Sequence, residues 1–292
     1  FGYNKLMGRR GNRPPDHGMS TIPFIKMHGA GNDFVVLDLR AQVASPSIAT
    51  MSAIADRHKG IGCDQIVLIE APLNGADIRF RFHNADGSEA GACGNGTRCA
   101  AAKIMAEEGR QNLTIETLAT VLNAEMDLNG QVTVDMGPAQ THWLAVPLAS
   151  DTDTLCLPLQ LDGISNPVAV GMGNPHCVFF VDDAEAVDVE RIGPLVETHE
   201  LFPEKTNVEF VSRMDDGRLR MRVWERGVGI TLACGSGVCA VVVAAAQRGI
   251  IDARTAEIVA DGGILTATWR ADGHVLLSGP VATSFSGLYN SE

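Results

Sequence analysis

Apolar and polar positions alternate with a strand's period along most of this chain, and two stretches of small apolar residues break that rhythm. Residues 22–26 alternate and predict a strand; residues 34–39 are an apolar run of strand length. The spacing over 48–57 predicts a helix and residues 65–70 another short strand. In 78–82 arginines alternate with apolar residues, predicting a strand with one wet face. Residues 95–108 predict a helix ended by Gly109 as a left-handed cap. Residues 113–116, 121–127 and 131–136 predict antiparallel strands, with Asn129-Gly130 as the hairpin signal between the last two. Beyond Gly137-Pro138 come a strand over 177–181, a helix over 187–196 capped by Asp188, and strands over 207–212 and 219–224. A helix follows Cys234 and is bounded by Gly249; strands over 258–260, 264–269 and 274–278 finish the pattern.

The halves keep register. Asn32 and Asn174 differ by 142 positions, as do Gln65 and Asn207; Asn84 and Glu225 differ by 141, as do Cys93 and Cys234. Landmarks in one order at one offset indicate a duplicated module. Residues 238–246 are apolar on every side, so that helix must be enclosed, and its small side chains let strands approach closely. The expected fold class is α+β, with two pseudo-symmetric lobes, each a strand-rich, barrel-like sheet wrapped around a central helix. The expected lobes are residues 19–137 and 138–279, facing each other so that both helix N-termini open on one cleft.

Composition narrows the function. Of 292 residues 45% are hydrophobic but only 5% aromatic, so the core rests on Val, Ile, Leu and Ala. A net charge of −12 without a basic stripe argues against nucleic acid or an anionic membrane as partner. The longest apolar run, 238–246, falls short of the ~20 residues that span a bilayer. Seven cysteines, an odd number without framework spacing, read as reduced thiols of a cytoplasmic protein. Residues 1–18, with Lys5, Arg9, Arg10 and Arg13 among Gly, Pro and Asn, read as a disordered extension or an upstream remnant, with a transit peptide as a weaker alternative.

Two cysteines carry the candidate chemistry. Cys93-Gly94-Asn95-Gly96 and Cys234-Gly235-Ser236-Gly237 each place a thiol where a helix begins. A helix N-terminus lowers a thiol pKa, and bare glycine amides admit an anion such as a substrate α-carboxylate. Two matched thiols suit a reaction with two proton carriers at one carbon, a racemisation or epimerisation without metal or other cofactor. The other five, Cys63, Cys99, Cys156, Cys177 and Cys239, read as small core residues.

The chain resembles the diaminopimelate epimerases from about residue 24 to 287. The resemblance rests on His28-Gly29-Ala30-Gly31-Asn32-Asp33-Phe34, Cys63-Asp64-Gln65, Asn84-Ala85-Asp86-Gly87-Ser88-Glu89, both cysteine turns, Gly173-Asn174-Pro175-His176, Asn207-Val208-Glu209-Phe210 and Glu225-Arg226-Gly227. It implies interconversion of LL- and meso-diaminopimelate, a diamino-dicarboxylate, with Cys93 and Cys234 exchanging protons and His176 and Glu225 setting their pKa values. It implies substrate contacts at Asn32, Gln65, Asn84, Asn174, Asn207, Glu225 and Arg226, the last suited to the distal carboxylate. Main-chain groups of Gly94, Asn95, Gly235 and Ser236 complete the implied site. It also implies a homodimer, and a final segment, 280–292, that returns to the first lobe. His83 stands where the family more often has an aromatic residue, and Phe285 where some members carry a tyrosine at the dimer contact.

Three rivals remain. Gly235-Ser236-Gly237-Val238-Cys239-Ala240, with Glu257 downstream, fits a dinucleotide fingerprint, but the elements do not alternate as a doubly wound sheet requires. A zinc site lacks C-x-x-C and H-E-x-x-H. A proline or hydroxyproline racemase shares the two-thiol logic; Arg226 and the asparagines favour a substrate with a second polar end.

Overall fold

The computed structural model describes residues 20–41, 44–91 and 93–291; the reading of residues 1–18 lies outside the described residues. Strand β1 (Ser20–Gly29) turns through Ala30 and Gly31, both at positive φ, into β2 (Asn32–Asp38). Such a two-residue turn matches the twist of its flanking strands. Helix α1 (Ile48–Ala55) then crosses to β3 (Gln65–Glu70), followed by β4 (Ile78–Asn84) and the stub β5 (Glu89–Ala90). Helix α2 (Gly94–Glu108) leads to β6 (Asn112–Glu116), β7 (Val121–Met126) and β8 (Val132–Pro138).

A connecting segment carries the two-residue strands β9 (Gln160–Leu161) and β10 (Ile164–Ser165). The plan then recurs in β11 (Val168–Gly171), β12 (Pro175–Phe180), α3 (Val189–Glu197), β13 (Asn207–Arg213), β14 (Leu219–Glu225) and β15 (Gly229–Ile230). Helix α4 (Gly235–Gln247), β16 (Thr255–Ala260), β17 (Gly263–Trp269), β18 (His274–Gly279) and β19 (Ala282–Ser291) complete it.

The duplication holds at the level of register. Phe34 sits opposite Gln65 in the parallel pair β2–β3, and His176 opposite Asn207 in the parallel pair β12–β13. Ile78 faces Ile115 in β4–β6, as Leu219 faces Ile258 in β14–β16. The repeat-related strands β8 and β18 pair with each other, Val134 against Leu277, so one hydrogen-bonded ladder joins the lobes. Strand β19 leaves the second lobe and pairs with β1, Ser20 against Ser291.

Each lobe has an inner core around its central helix. Phe34, Phe80, Ile115 and Val134 enclose α2; Val170, Leu219, Leu265 and Val275 enclose α4. Residues Val238 to Ala245 are all completely buried, which explains their small size and lack of polarity. Each buried valine contributes about 1.5–3 kcal/mol relative to exposure. Outer cores under α1 and α3 complete the parallel.

Some local expectations change. Strand β11 is not predicted by the sequence pattern, because its four residues are too few to show a period. At the β7–β8 hairpin only Gly130 has positive φ, and Asp127 closes the loop by bonding Gly130 and Gln131, so the turn is longer than Asn129-Gly130 alone. Arg79 and Arg81 are half-buried, sheathed by Glu70, Glu89 and Glu116. Cys156 is exposed on the connecting segment, not a core residue, because its turn lies outside both barrels; Cys63, Cys99, Cys177 and Cys239 are buried.

Candidate active site

Cys93 and Cys234 are the N-caps of α2 and α4. Both have extended backbone, at φ −151° and −113°, and each sulfur accepts a hydrogen bond from the amide three residues on, Gly96 and Gly237, at 3.4 Å. The glycines are needed because the two helix ends press together. A Cβ on Gly235 would stand 2.9 Å from Leu277 Cδ2 and 3.6 Å from Gly94 Cα. Asn95 bridges the lobes, its Nδ2 donating at 3.3 Å to the Ala233 carbonyl and at 3.3 Å to Asn32 Oδ1.

Both cysteines line a single cleft of about 1290 Å³. Asn32, Gln65, Asn84, Gly94, Asn95, Asn174, Asn207, Glu225, Arg226, Gly235 and Ser236 line it too. His176 does not: it is fully buried behind the wall, with Nδ1 hydrogen-bonded to Glu209 Oε1 at 2.7 Å and Nε2 to Asn174 Oδ1 at 2.9 Å. The strand ends deliver the polar residues. Gln65 starts β3 and Asn84 ends β4, with Gln65 Nε2 donating to Asn84 Oδ1 at 3.0 Å. At the matching ends of β13 and β14, Asn207 Oδ1 accepts from the Arg226 amide at 2.9 Å and its Nδ2 donates to the Pro175 carbonyl at 3.0 Å. Arg226 also donates to the Glu204 carbonyl at 3.0 Å. Thr231 donates to the Glu225 carboxylate.

The thiol pKa values run opposite to the helix-end expectation. Burial pushes Cys93 up to about 12, the Gly96 amide drawing it back and Glu225 pushing it further. Burial, Glu225 and Glu209 push Cys234 well above the usual thiol value. The amides at a helix end lower a thiol only where water or a counter-charge offsets desolvation. Burial also raises the Glu225 carboxyl, against the pull of Thr231.

Sequence reasoning passed over several residues here. Asp64 Oδ2 accepts from Asn32 Nδ2 at 2.8 Å and fixes that amide so that its oxygen faces Cys93. Arg57 and Lys26 clamp Asp33 beside it, at 2.7 and 2.6 Å. Burial acts to raise the Asp33 carboxyl, but Arg57 and Lys26 outweigh it and hold it well below the usual carboxylate range. Asp33 and Asp64 stand inside the quoted motifs, and adjacency to Asn32 and Gln65 was their only signal. Arg98 and Glu209 are fully buried; Glu209 also stands inside a quoted motif, and no local signal marks Arg98.

Comparison with known proteins agrees with this architecture. The family profile described as diaminopimelate epimerase matches residues 24–142 and 168–283. A diaminopimelate epimerase of Acidiphilium cryptum is 55% identical over 265 residues, covering 91% of this chain and 95% of the relative. One from Rhodospirillum centenum is 54% identical over 265 residues, covering 90% and 91%. Among solved structures, a hydroxyproline epimerase from Agrobacterium vitis superposes with a TM-score of 0.67 at 14% identity, covering 92% of each chain. A Bacillus anthracis phenazine biosynthesis protein of the PhzF family gives 0.67 at 16%, covering 94% of this chain and all of that one; at such identities the likeness concerns the fold. On the profile and on relatives matched over nine-tenths of its length, this chain belongs to the diaminopimelate epimerase family.

Proposed function

We propose that the protein interconverts LL- and meso-2,6-diaminopimelate by proton transfer between Cys93, Cys234 and one α-carbon, without pyridoxal phosphate or metal. The observation that carries this reading is the pair of thiols, each capping the central helix of its own lobe, at one cleft. One sulfur, as thiolate, takes the α-proton; an S–H bond forms as the C–H bond breaks, and the electron pair passes towards the α-carboxylate. First-turn amides, which have no intrahelical acceptor, hold that carboxylate at Gly94, Asn95, Gly235 and Ser236. The other thiol delivers its proton to the opposite face, so the two cysteines end with exchanged protonation states. Each carrier contributes on the order of 10²–10⁴-fold.

Glu225 meets the substrate ammonium, whose positive charge offsets the burial that raises both thiols. The amides of Asn32, Gln65, Asn84, Asn174 and Asn207 orient the substrate, Arg226 binds its distal carboxylate, and His176 acts from behind Asn174. The lobes follow the duplicated halves, residues 19–137 with 280–292 and residues 138–279. The chain works as a cytoplasmic homodimer, with neither nucleic acid nor membrane as partner. Strand β19 supports the dimer, since β1 is its one strand partner among the described residues and Phe285 and Leu288 are exposed. Among the described residues no helix is long and apolar enough to cross a membrane.

The test is incubation with LL-diaminopimelate, following the meso form and deuterium entry at the α-carbon in heavy water. Cys93→Ala and Cys234→Ala should each abolish interconversion. Full turnover by either variant would refute the pairing, and turnover of proline instead would favour the racemase reading.

A further inference from the structure

The two thiols share one local geometry, and what distinguishes them lies a layer deeper. Beneath Gly96 the floor is apolar: a Cβ there would stand 3.2 Å from Phe34, 3.2 Å from Phe82 and 3.3 Å from Val67. Beneath Gly237 the floor is ionisable: a Cβ there would stand 2.7 Å from Glu209 Oε1 and 3.4 Å from Cys234 Sγ. The carboxyl and the sulfur are thus separated by little more than the width of that glycine. Glu209 occupies the repeat position of Val67, and His176 that of Phe34. Glu209 is fully buried, and its Oε2 has no hydrogen-bond partner among the described residues.

The opposite exchange occurs one turn into the helices, where α2 carries Arg98 and α4 carries Cys239. Among the described residues Arg98 is the largest fully buried side chain. Its guanidinium donates to Asn95 Oδ1 at 2.6 Å and to the Pro280 carbonyl at 3.1 Å, while Nε has no partner. No carboxylate forms an ion pair with it among the described residues; the acidic groups around it are the thiols of Cys93, Cys99 and Cys239. A buried cation without a counter-charge bears a desolvation cost that a nearby anion relieves.

The charged groups facing each sulfur differ accordingly. Cys93 is faced by Glu225 from β14 and, more weakly, by Arg98 from its own helix; Cys234 is faced by two carboxylates, Glu225 from β14 and Glu209 from β13, with His176 of β12 behind. The other charged cluster of the cleft, Lys26, Asp33, Arg57 and Asp64, is internally paired. We infer that Arg98, a positioning residue buried without a carboxylate partner on the helix that Cys93 caps, and Glu209, packed beneath Gly237 beside Cys234, make the thiol pair unequal, so that Cys93 gives up its proton ahead of Cys234. This rests on the two-thiol reading and adds the residues that make the pair unequal. Arg98 acts through Asn95, whose oxygen it grips so that the amide nitrogen points at Asn32 and Ala233.

The experiment is alkylation by iodoacetamide without substrate, mapped to Cys93 and Cys234 by peptide mass spectrometry across pH. In the wild-type protein the rate at Cys93 should rise with pH ahead of that at Cys234. Arg98→Met should slow Cys93 about tenfold at neutral pH and leave Cys234 little changed, and Arg98→Lys should restore most of the rate. Glu209→Gln should bring the rise at Cys234 to lower pH. Cys234 titrating first, or Arg98→Met slowing both sites equally as a loosened structure would, overturns the assignment. Should Arg98→Met fail to fold, the order of the wild-type profiles and the response of Cys234 to Glu209→Gln decide; an unmoved Cys234 rejects it. Because no substrate is present, a protein inert towards diaminopimelate would sink the functional reading while leaving these titrations to be judged separately.

Discussion

Asn95 Nδ2, one residue inside the first central helix, donates at 3.3 Å to the carbonyl of Ala233, the residue before Cys234. The bond ties the start of one lobe's helix to the approach of the other's, and Arg98 holds the same side chain from behind at 2.6 Å. Asn95→Ala removes the tie and leaves the guanidinium short of an acceptor. Losing a partner of a buried charged group costs about 1–3 kcal/mol. The variant should melt at lower temperature and lose about tenfold or more in kcat, measured by thermal unfolding and by the epimerisation assay. Wild-type turnover would show that the tie is dispensable.

Gly235→Ala should be damaging although alanine favours helices. Its Cβ would meet Leu277 Cδ2 at 2.9 Å where the two helix ends abut. Overpacking of this kind costs about 1–3 kcal/mol. The displaced helix end would misplace the amides proposed to hold the α-carboxylate, so KM should rise with the fall in kcat. Gly130→Ala tests the contrast: no atom lies near its Cβ, and its φ of 80° makes the cost one of backbone strain. It should destabilise without changing KM.

Peroxide should inactivate the protein reversibly. Two thiols at one cleft can be oxidised to a disulfide, each losing a proton and an electron as peroxide is reduced to water. Activity should fall as two free thiols disappear, and dithiothreitol should restore both. Loss of activity without loss of thiols, or no recovery on reduction, would contradict the juxtaposition of Cys93 and Cys234.

Acid should weaken the clamp between β6 and the segment before β4. The Thr114 hydroxyl and amide, with Arg110, hold Asp77 down to about 2. A carboxyl depressed in the folded state stabilises fully above its unfolded value, near 3.9, and that contribution is lost as pH falls towards the folded value. The melting temperature should therefore decline between about pH 4 and pH 2, and Asp77→Asn should flatten that part of the curve. An unchanged slope in the variant would remove Asp77 from the account.

Much of this architecture was written in short-range patterns. Residues 65–70 coincide with β3, Asp188 caps α3, and Gly109 ends α2 in the left-handed region. The polar landmarks stand out because each falls at a strand end or a glycine turn, where the backbone restricts the choice of residue. What stayed hidden depends on distance in sequence or on depth. The β8–β18 ladder joins residues about 140 positions apart, and no local pattern encodes it. Nothing local reveals the depth of Arg98 and Glu209, since an isolated ionisable residue usually faces water. The direction of the thiol pKa values was missed for the same reason: a helix end is visible in sequence, the thickness of protein over it is not.

The pairing of β19 with β1 brings the last described residues alongside the first. The backbone therefore traces a nearly closed circuit whose outermost seam is a ladder and not a covalent bond. A permuted protein, linked across that seam and opened at the exposed turn near Ser150, would keep every ladder described above, and its two halves would then follow each other without the final crossing. Removal of β19 would instead unzip the first lobe at its rim and release the Pro280 carbonyl from Arg98. A cut far along the chain from either cysteine would thus be felt beneath Cys93.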